Sequence, residues 1–190
     1  VKETDGDYFY VVDANLGSLK TDPAVKHAIS YALQPDNKNH SLLGTVKITY
    51  TNQGDFDWKT TRYRTYTRLY VPLGSTLITA IGNEEPLAIT DSHGKTVFGT
   101  FISIEPGSSE TLTFSYKLPA GLVNKISQGN YSLLVQKQAG TEAHDLELDI
   151  ALPFTVSKIL PDDVVKKSDK NQITAQTNLR FDHTFTVLAK

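Results

Sequence analysis

The feature that most constrains this chain is a two-residue rhythm. Large side chains recur at every second position through one segment after another. In Val25 to Leu33 they fall at Val25, His27, Ile29, Tyr31 and Leu33. From Leu43 to Tyr50, Val46, Ile48 and Tyr50 alternate with Thr45, Lys47 and Thr49. Leu112, Phe114, Tyr116 and Leu118 alternate with Thr and Ser, and Leu146, Leu148, Ile150 and Leu152 flank Glu147 and Asp149. A β-strand turns successive side chains to opposite faces, so each segment offers one apolar and one wet face. That is the signature of half-buried antiparallel strands; buried parallel strands would be continuously apolar.

Residue choice agrees with the rhythm. Thr, Val, Tyr, Phe and Ile crowd the segments, whereas Gly, Pro, Asn and Asp crowd the gaps. Such gaps are 35–39, Pro72 to Gly74, Asp91 to Gly94, Pro106-Gly107 and Gly129-Asn130. Further strands are expected at 7–14, 63–71, 76–81, 95–104, 131–138 and 173–187. About ten strands with frequent turns predict an all-β fold: an antiparallel two-sheet β-sandwich, immunoglobulin-like, with an open barrel as the alternative. Helix is expected only in short pieces, Ala120 to Ile126 and Asp22 to Ala28, the second competing with the strand pattern from Val25. Residues 1–190 read as one domain, with a polar mobile loop at 158–172 and a final hairpin at 173–187.

Composition narrows the function classes. With 190 residues the chain can bury roughly 70% of its unfolded surface, so it needs no metal or disulfide staple. A net charge of −2 gives no reason to expect a nucleic-acid partner, which demands a strongly basic face. No apolar run is long enough to span a membrane as a helix. The absence of cysteine removes thiol catalysis, thiolate metal sites and disulfides together. The first residue is Val and methionine is absent, so the chain reads as a processed or excised segment, with any signal or anchor outside it.

Catalytic patterns fail to assemble, and we expect no enzyme and no cofactor. Gly17-Ser18, Gly74-Ser75 and Gly107-Ser108 place serines in turns, but none forms a nucleophile elbow. His27, His40, His93, His144 and His183 are scattered without a paired spacing. Asp5-Gly-Asp7 and Asp55-Phe-Asp57 carry oxygens of the kind calcium takes, yet neither continues into a calcium loop, and solvated turns use the same pattern. A self-formed Lys–Asn isopeptide bond is another way to staple a cysteine-free sandwich, but no pair is singled out by sequence.

One segment is unusual. Three of the four arginines lie in Arg62-Tyr-Arg64-Thr-Tyr66-Thr-Arg68-Leu-Tyr70. As a strand it would place Arg62, Arg64, Tyr66, Arg68 and Tyr70 on one face, with Tyr63, Thr65, Thr67, Leu69 and Val71 on the other. Guanidinium forks and phenol rings in a row could grip an anionic polymer or stack on carbohydrate. The competing reading is a solvated sheet face on which arginines pair with cross-strand carboxylates.

Several segments taken in order resemble a known family. They are Val12-Asp-Ala-Asn-Leu-Gly17 with Lys20-Thr-Asp22, Tyr66-Thr-Arg-Leu-Tyr-Val-Pro72 with Gly74-Ser75, Gly94-Lys-Thr-Val-Phe-Gly99, Pro106-Gly107, Tyr116-Lys-Leu-Pro119, and Tyr131 to Gln138 with Gly140. The chain, over 10–187, resembles the C-terminal portion of bacterial proteins carrying the domain of unknown function 4012. The resemblance implies a membrane-anchored cell-envelope protein with a large extracytoplasmic part, whose preceding domain resembles the LytR-CpsA-Psr polymer-attaching enzymes. It supplies no activity and no catalytic residue. Three functional expectations follow: a structural or interaction module outside the cytoplasm, contacting a cell-wall polymer or a neighbouring domain of the same protein; a carbohydrate or wall-polymer binding module using Arg62, Arg64, Tyr66, Arg68 and Tyr70; or an accessory domain of a polymer-transfer enzyme whose active site lies outside this chain.

Overall fold

A computed structural model describes residues 1–36 and 39–190. The expected turn at 35–39 therefore falls partly outside the described residues. Fourteen strands form two seven-stranded sheets. In chain order they are β1 (Asp7–Asn15), β2 (Val25–Asp36), β3 (Ser41–Asn52), β4 (Tyr63–Pro72), β5 (Thr76–Ile81), β6 (Ala88–Ser92) and β7 (Lys95–Ile104). There follow β8 (Ser109–Lys117), β9 (Asn130–Gln136), β10 (Asp145–Ala151), β11 (Val156–Leu160), β12 (Val165–Asp169), β13 (Gln172–Asn178) and β14 (His183–Ala189). One sheet has the order β11-β14-β9-β1-β4-β7-β6, and the other β12-β13-β10-β2-β3-β8-β5.

The two orders match position by position, with strands adjacent in sequence at equivalent places in opposite sheets. Most successive strands lie in opposite sheets; the hairpins, which stay within one sheet, are β2–β3, β6–β7 and β12–β13. This topology produces the two departures from an all-antiparallel arrangement. β1 runs parallel to β9, and β2 parallel to β10. The remaining neighbours pair antiparallel, the longest being β2 with β3 from Val25↔Asn52 to Asp36↔Ser41.

The alternation predicted from sequence sets the inner faces. Phe9, Val11, Leu69, Val71, Phe98, Leu133 and Val135 of the first sheet meet Ile29, Tyr31, Leu33, Val46, Ile48, Phe114 and Leu148 of the second in one core. Gly44 makes room for the buried Tyr116 ring: a Cβ there would lie 2.8 Å from it. The helix α1 (Ala120–Ser127) buries Leu122, Val123 and Ile126 against the core. At the other candidate helix only a single 3-10 turn forms, Asp22–Ala24, because Pro23 suits a first turn while Val25 already belongs to the strand.

The C-terminal third departs most from the sequence expectation. Residues 158–172 hold the end of β11 and all of β12 rather than a loop. Lys158 of β11 and Lys166 and Lys167 of β12 are exposed on these edge strands, while Val156 and Val165 are buried. Residues 173–187 are not a hairpin. β13 pairs with β10 and β12, whereas β14 pairs with β9 and β11 in the opposite sheet. The intervening segment 179–182 crosses the sandwich, anchored by buried Leu179.

Candidate functional site

The Arg/Tyr strand forms as β4, and its alternation holds. Tyr63, Thr65, Thr67, Leu69 and Val71 are buried on the inner side. Arg62 lies just before the strand and is ion-paired with Glu105. Arg64 donates from Nη2 to Glu85 Oε1 at 2.6 Å, and its guanidinium lies 4.1 Å from the centre of the Phe101 ring. Tyr66 packs on Phe101 at 4.9 Å between ring centres and lies across Gly99, where a Cβ would collide with its hydroxyl. Tyr70 is buried, with the Tyr10 ring 5.6 Å away. Arg68, between Val12 and Gly99, is the exception: its Nε is buried and has no hydrogen-bond partner. Two of the three guanidiniums are thus committed to carboxylates.

The structure gathers a second set of polar residues at one end of the sandwich, where the sequence showed only scattered positions. Alternation along β1 points Asp7, Phe9, Val11 and Asp13 inward. The Asp13 carboxylate accepts hydrogen bonds at Oδ1 from Thr67 (2.6 Å), Tyr50 (2.9 Å) and Thr65 (3.3 Å). Burial pushes this carboxyl above its ordinary range, the hydroxyl donors opposing the shift. Gln138 clamps the same residue from its backbone, accepting from Asp13 N at 2.8 Å and donating to Asp13 O at 2.9 Å.

Two imidazoles lie beside this carboxylate. His27 Nδ1 is 3.8 Å from Asp13 Oδ2, and the His27 and His144 ring centres are 4.3 Å apart. Burial depresses both to about 4, with the His27 ring as the next contributor at His144. Both rings are therefore neutral at ordinary pH. His27 Nε2 is buried and has no hydrogen-bond partner. A cavity of about 640 Å³ opens here, lined by Asp13, Asp22, Lys26, His27, Thr49, Tyr63 and the 138–145 segment. It exists because β2 pairs with β10 only from Ala28 onward, leaving Val25, Lys26 and His27 without a partner on that side.

At the same end, the loops 16–21 and 53–62 are joined by hydrogen bonds from Lys20 N to Lys59 O (3.0 Å) and from Thr61 N to Thr21 Oγ1 (3.2 Å). Asp57 Oδ1 accepts from Lys59 N and Thr60 N at 2.8 and 2.6 Å, which holds its carboxyl below the usual range. The buried Asn52 side chain braces the base of the loop by donating to Thr61 O and Ile104 O. This framework holds Phe56, 70% exposed, and Trp58, 86% exposed, out into solvent beside Leu16 and Leu19. Ser18 and Leu19 adopt positive φ of 68° and 58°, a conformation that L-residues seldom take.

The paired aspartates have local uses. Asp7 is fully buried and accepts from Tyr31 (2.6 Å), Tyr131 (2.8 Å) and Tyr8 N (2.8 Å), while Asp57 caps its own turn. Among the described residues no group of three or more His, Asp or Glu side chains is arranged to hold a metal ion. Two of the three serines expected in turns are tied locally, Ser75 Oγ to Pro72 O at 2.7 Å and Ser108 Oγ to Glu105 O at 2.8 Å.

No protein-family model matches the chain, and no curated protein matches its sequence. Solved structures do resemble it. A candidate nutrient-binding protein from Legionella pneumophila superposes with a TM-score of 0.53 at 8% identity, covering 96% of this chain and 71% of that one. Leukotriene A4 hydrolase from Saccharomyces cerevisiae gives 0.48 at 9% identity, over 90% of this chain and 30% of the enzyme. The M1 zinc metallopeptidase from Deinococcus radiodurans gives 0.40 at 12%, over 93% and 44%. The first is a likeness of fold alone, and the other two are too distant to carry either fold or activity.

Proposed function

We propose that this chain is a non-catalytic structural or interaction module whose contact surface is the two-loop tip bearing Leu16, Leu19, Phe56 and Trp58. The observation that carries the reading is Trp58, the only tryptophan, standing 86% exposed on a loop stiffened by hydrogen bonds. A rigid exposed aromatic loses little conformational freedom on contact and is the kind of residue on which interface energy concentrates. The local ties of Ser75 and Ser108 speak against those two serines as nucleophiles. A bacterial cell-envelope setting outside the cytoplasm, with a wall polymer or a neighbouring domain as partner, rests on the sequence resemblance. An accessory role beside a polymer-transfer enzyme would use the same tip.

A second reading, binding of an anionic wall polymer, is favoured by the unpartnered Arg68 amid Tyr10, Tyr66 and Tyr70. A single experiment separates the two. The purified chain is incubated with isolated bacterial envelope fractions across a salt series, beside Phe56→Ser/Trp58→Ser and Arg68→Ala variants. Retention that survives salt and disappears in the double variant supports the tip. Retention that weakens with salt and is lost in Arg68→Ala supports polymer binding instead. If the folded wild-type chain is not retained at all, both readings fail.

A further inference from the structure

We infer that the open edge of β5 is a self-association surface, to which a second copy of this chain adds its own β5 antiparallel across a two-fold axis. The surface uses neither the loop tip nor β4, and the inference does not depend on the function proposed above.

The first argument is a missing guard. An edge strand presents a row of unpaired backbone N–H and C=O groups, and chains blunt such edges with charged side chains. The sandwich has four edge strands, β5, β6, β11 and β12. Lys158 guards β11, Lys166 and Lys167 guard β12, and β6 carries Asp91. β5 carries no charge, and neither does any residue from Pro72 to Asn83. It pairs with β8 on one side and has no neighbouring strand on the other among the described residues. The register of β5, β11 and β12 is irregular in each case, so charge is what sets β5 apart.

The second argument is apolar exposure on the same strand. Leu77 and Ala80 pair with Tyr116 and Phe114 and pack on the core. The register shift between Leu77 and Thr79 makes Ile78 the extra residue, and Ile78 and Ile81 stand 50% and 63% exposed. Leu73, in the turn leading into the strand, is exposed as well. Thr76-Leu-Ile-Thr-Ala-Ile81 thus combines β-branched residues with neither charge nor proline, the composition of a segment that pairs readily.

These features select a second copy as the occupant. Two-fold pairing sets a surface against itself, so any charge on it would meet its like, and an uncharged strand meets no such repulsion. The pairing covers Ile78 and Ile81 of both copies at once. It also closes the assembly: the unguarded edge is used up and only charged edges remain, which gives a dimer rather than a fibre.

The test is sedimentation equilibrium of the full chain across the micromolar range, beside Ile78→Lys/Ile81→Lys and Ile78→Glu/Ile81→Glu. The wild type should approach twice the chain mass at the upper end. In either charged variant the dissociation constant should rise about a hundredfold, because the two-fold axis brings like charges together. An equimolar mixture of the two variants should recover the dimer. Hydrogen exchange needs no substitution: backbone amides within Thr76–Ile81 of the wild type should exchange more slowly as concentration rises. A wild type that stays monomeric overturns the inference and leaves the edge to a segment of another protein. A dimer that leaves exchange in β5 unchanged, or that Phe56→Ser/Trp58→Ser abolishes, overturns it too.

Discussion

His27 and His144 lie abreast, 4.3 Å between ring centres, because the parallel pairing of β2 with β10 sets Ala28 opposite Asp145. Each histidine directly precedes the first residue that its strand pairs across the β2–β10 edge. Their contact is therefore a product of register. It also confines two imidazoles where at most one can charge without repelling the other.

This pair should make the fold acid-sensitive. Both rings are held at about 4, below the ordinary histidine value of 6.5. A depressed value means that their contribution is fully present above pH 6.5 and is lost as pH falls towards 4. The unfolding free energy from urea titrations across this window should drop by an amount on the order of 3 kcal/mol for His27 alone. In His27→Phe the drop should shrink. An unchanged pH profile in that variant would refute the assignment.

Asp7 should act in the opposite sense. Burial lifts its carboxyl from 3.8 to about 6, outweighing the hydrogen bonds from Tyr31, Tyr131 and Tyr8. Stability from this group is complete below pH 3.8 and is lost as pH rises through 6. Asp7→Asn removes this ionisation, so stability measured between pH 4 and 7 should fall less steeply with rising pH than in the wild type, Asp13 and the histidines contributing what remains. A variant whose stability falls as steeply as that of the wild type would mean that another acid is responsible.

The arginines of β4 should differ in cost. Arg64 pairs with Glu85 at a half-exposed site, so Arg64→Ala should change stability by no more than about 1 kcal/mol. Arg68 buries an unpartnered Nε, and Arg68→Met keeps the stem while removing that atom. Thermal unfolding should show it neutral or stabilised. Destabilisation of several degrees would show that the Arg68 guanidinium has a structural partner.

Much of the fold was readable in the chain. Alternation in β2, β3, β8 and β10 named the inner faces, and the same rhythm placed Tyr63, Thr65 and Thr67 opposite Arg64, Tyr66 and Arg68. The strands missed were short: β6, β11 and β12 carry five residues each, too few for a period to stand out. Of the binding residues picked out from sequence, Arg62 and Arg64 are engaged with Glu105, Glu84 and Glu85 from neighbouring segments. The Asp13, His27 and His144 cluster went unseen because its members come from β1, β2 and the entry to β10.

What the sequence by itself determined is local: which residues extend, which face of each strand is apolar, and where the chain turns. These follow from side-chain alternation and turn chemistry within a few residues. Only the tertiary structure decided that β13 and β14 belong to opposite sheets, and that Ala28 meets Asp145. It also decided that Asp7 and Asp13 end up among tyrosines rather than in solvent. Those outcomes depend on which strands share an edge, and hydrogen bonds between backbones are nearly blind to side-chain identity. Pairing is settled by the fit of the whole core, a property that no short stretch of this chain contains.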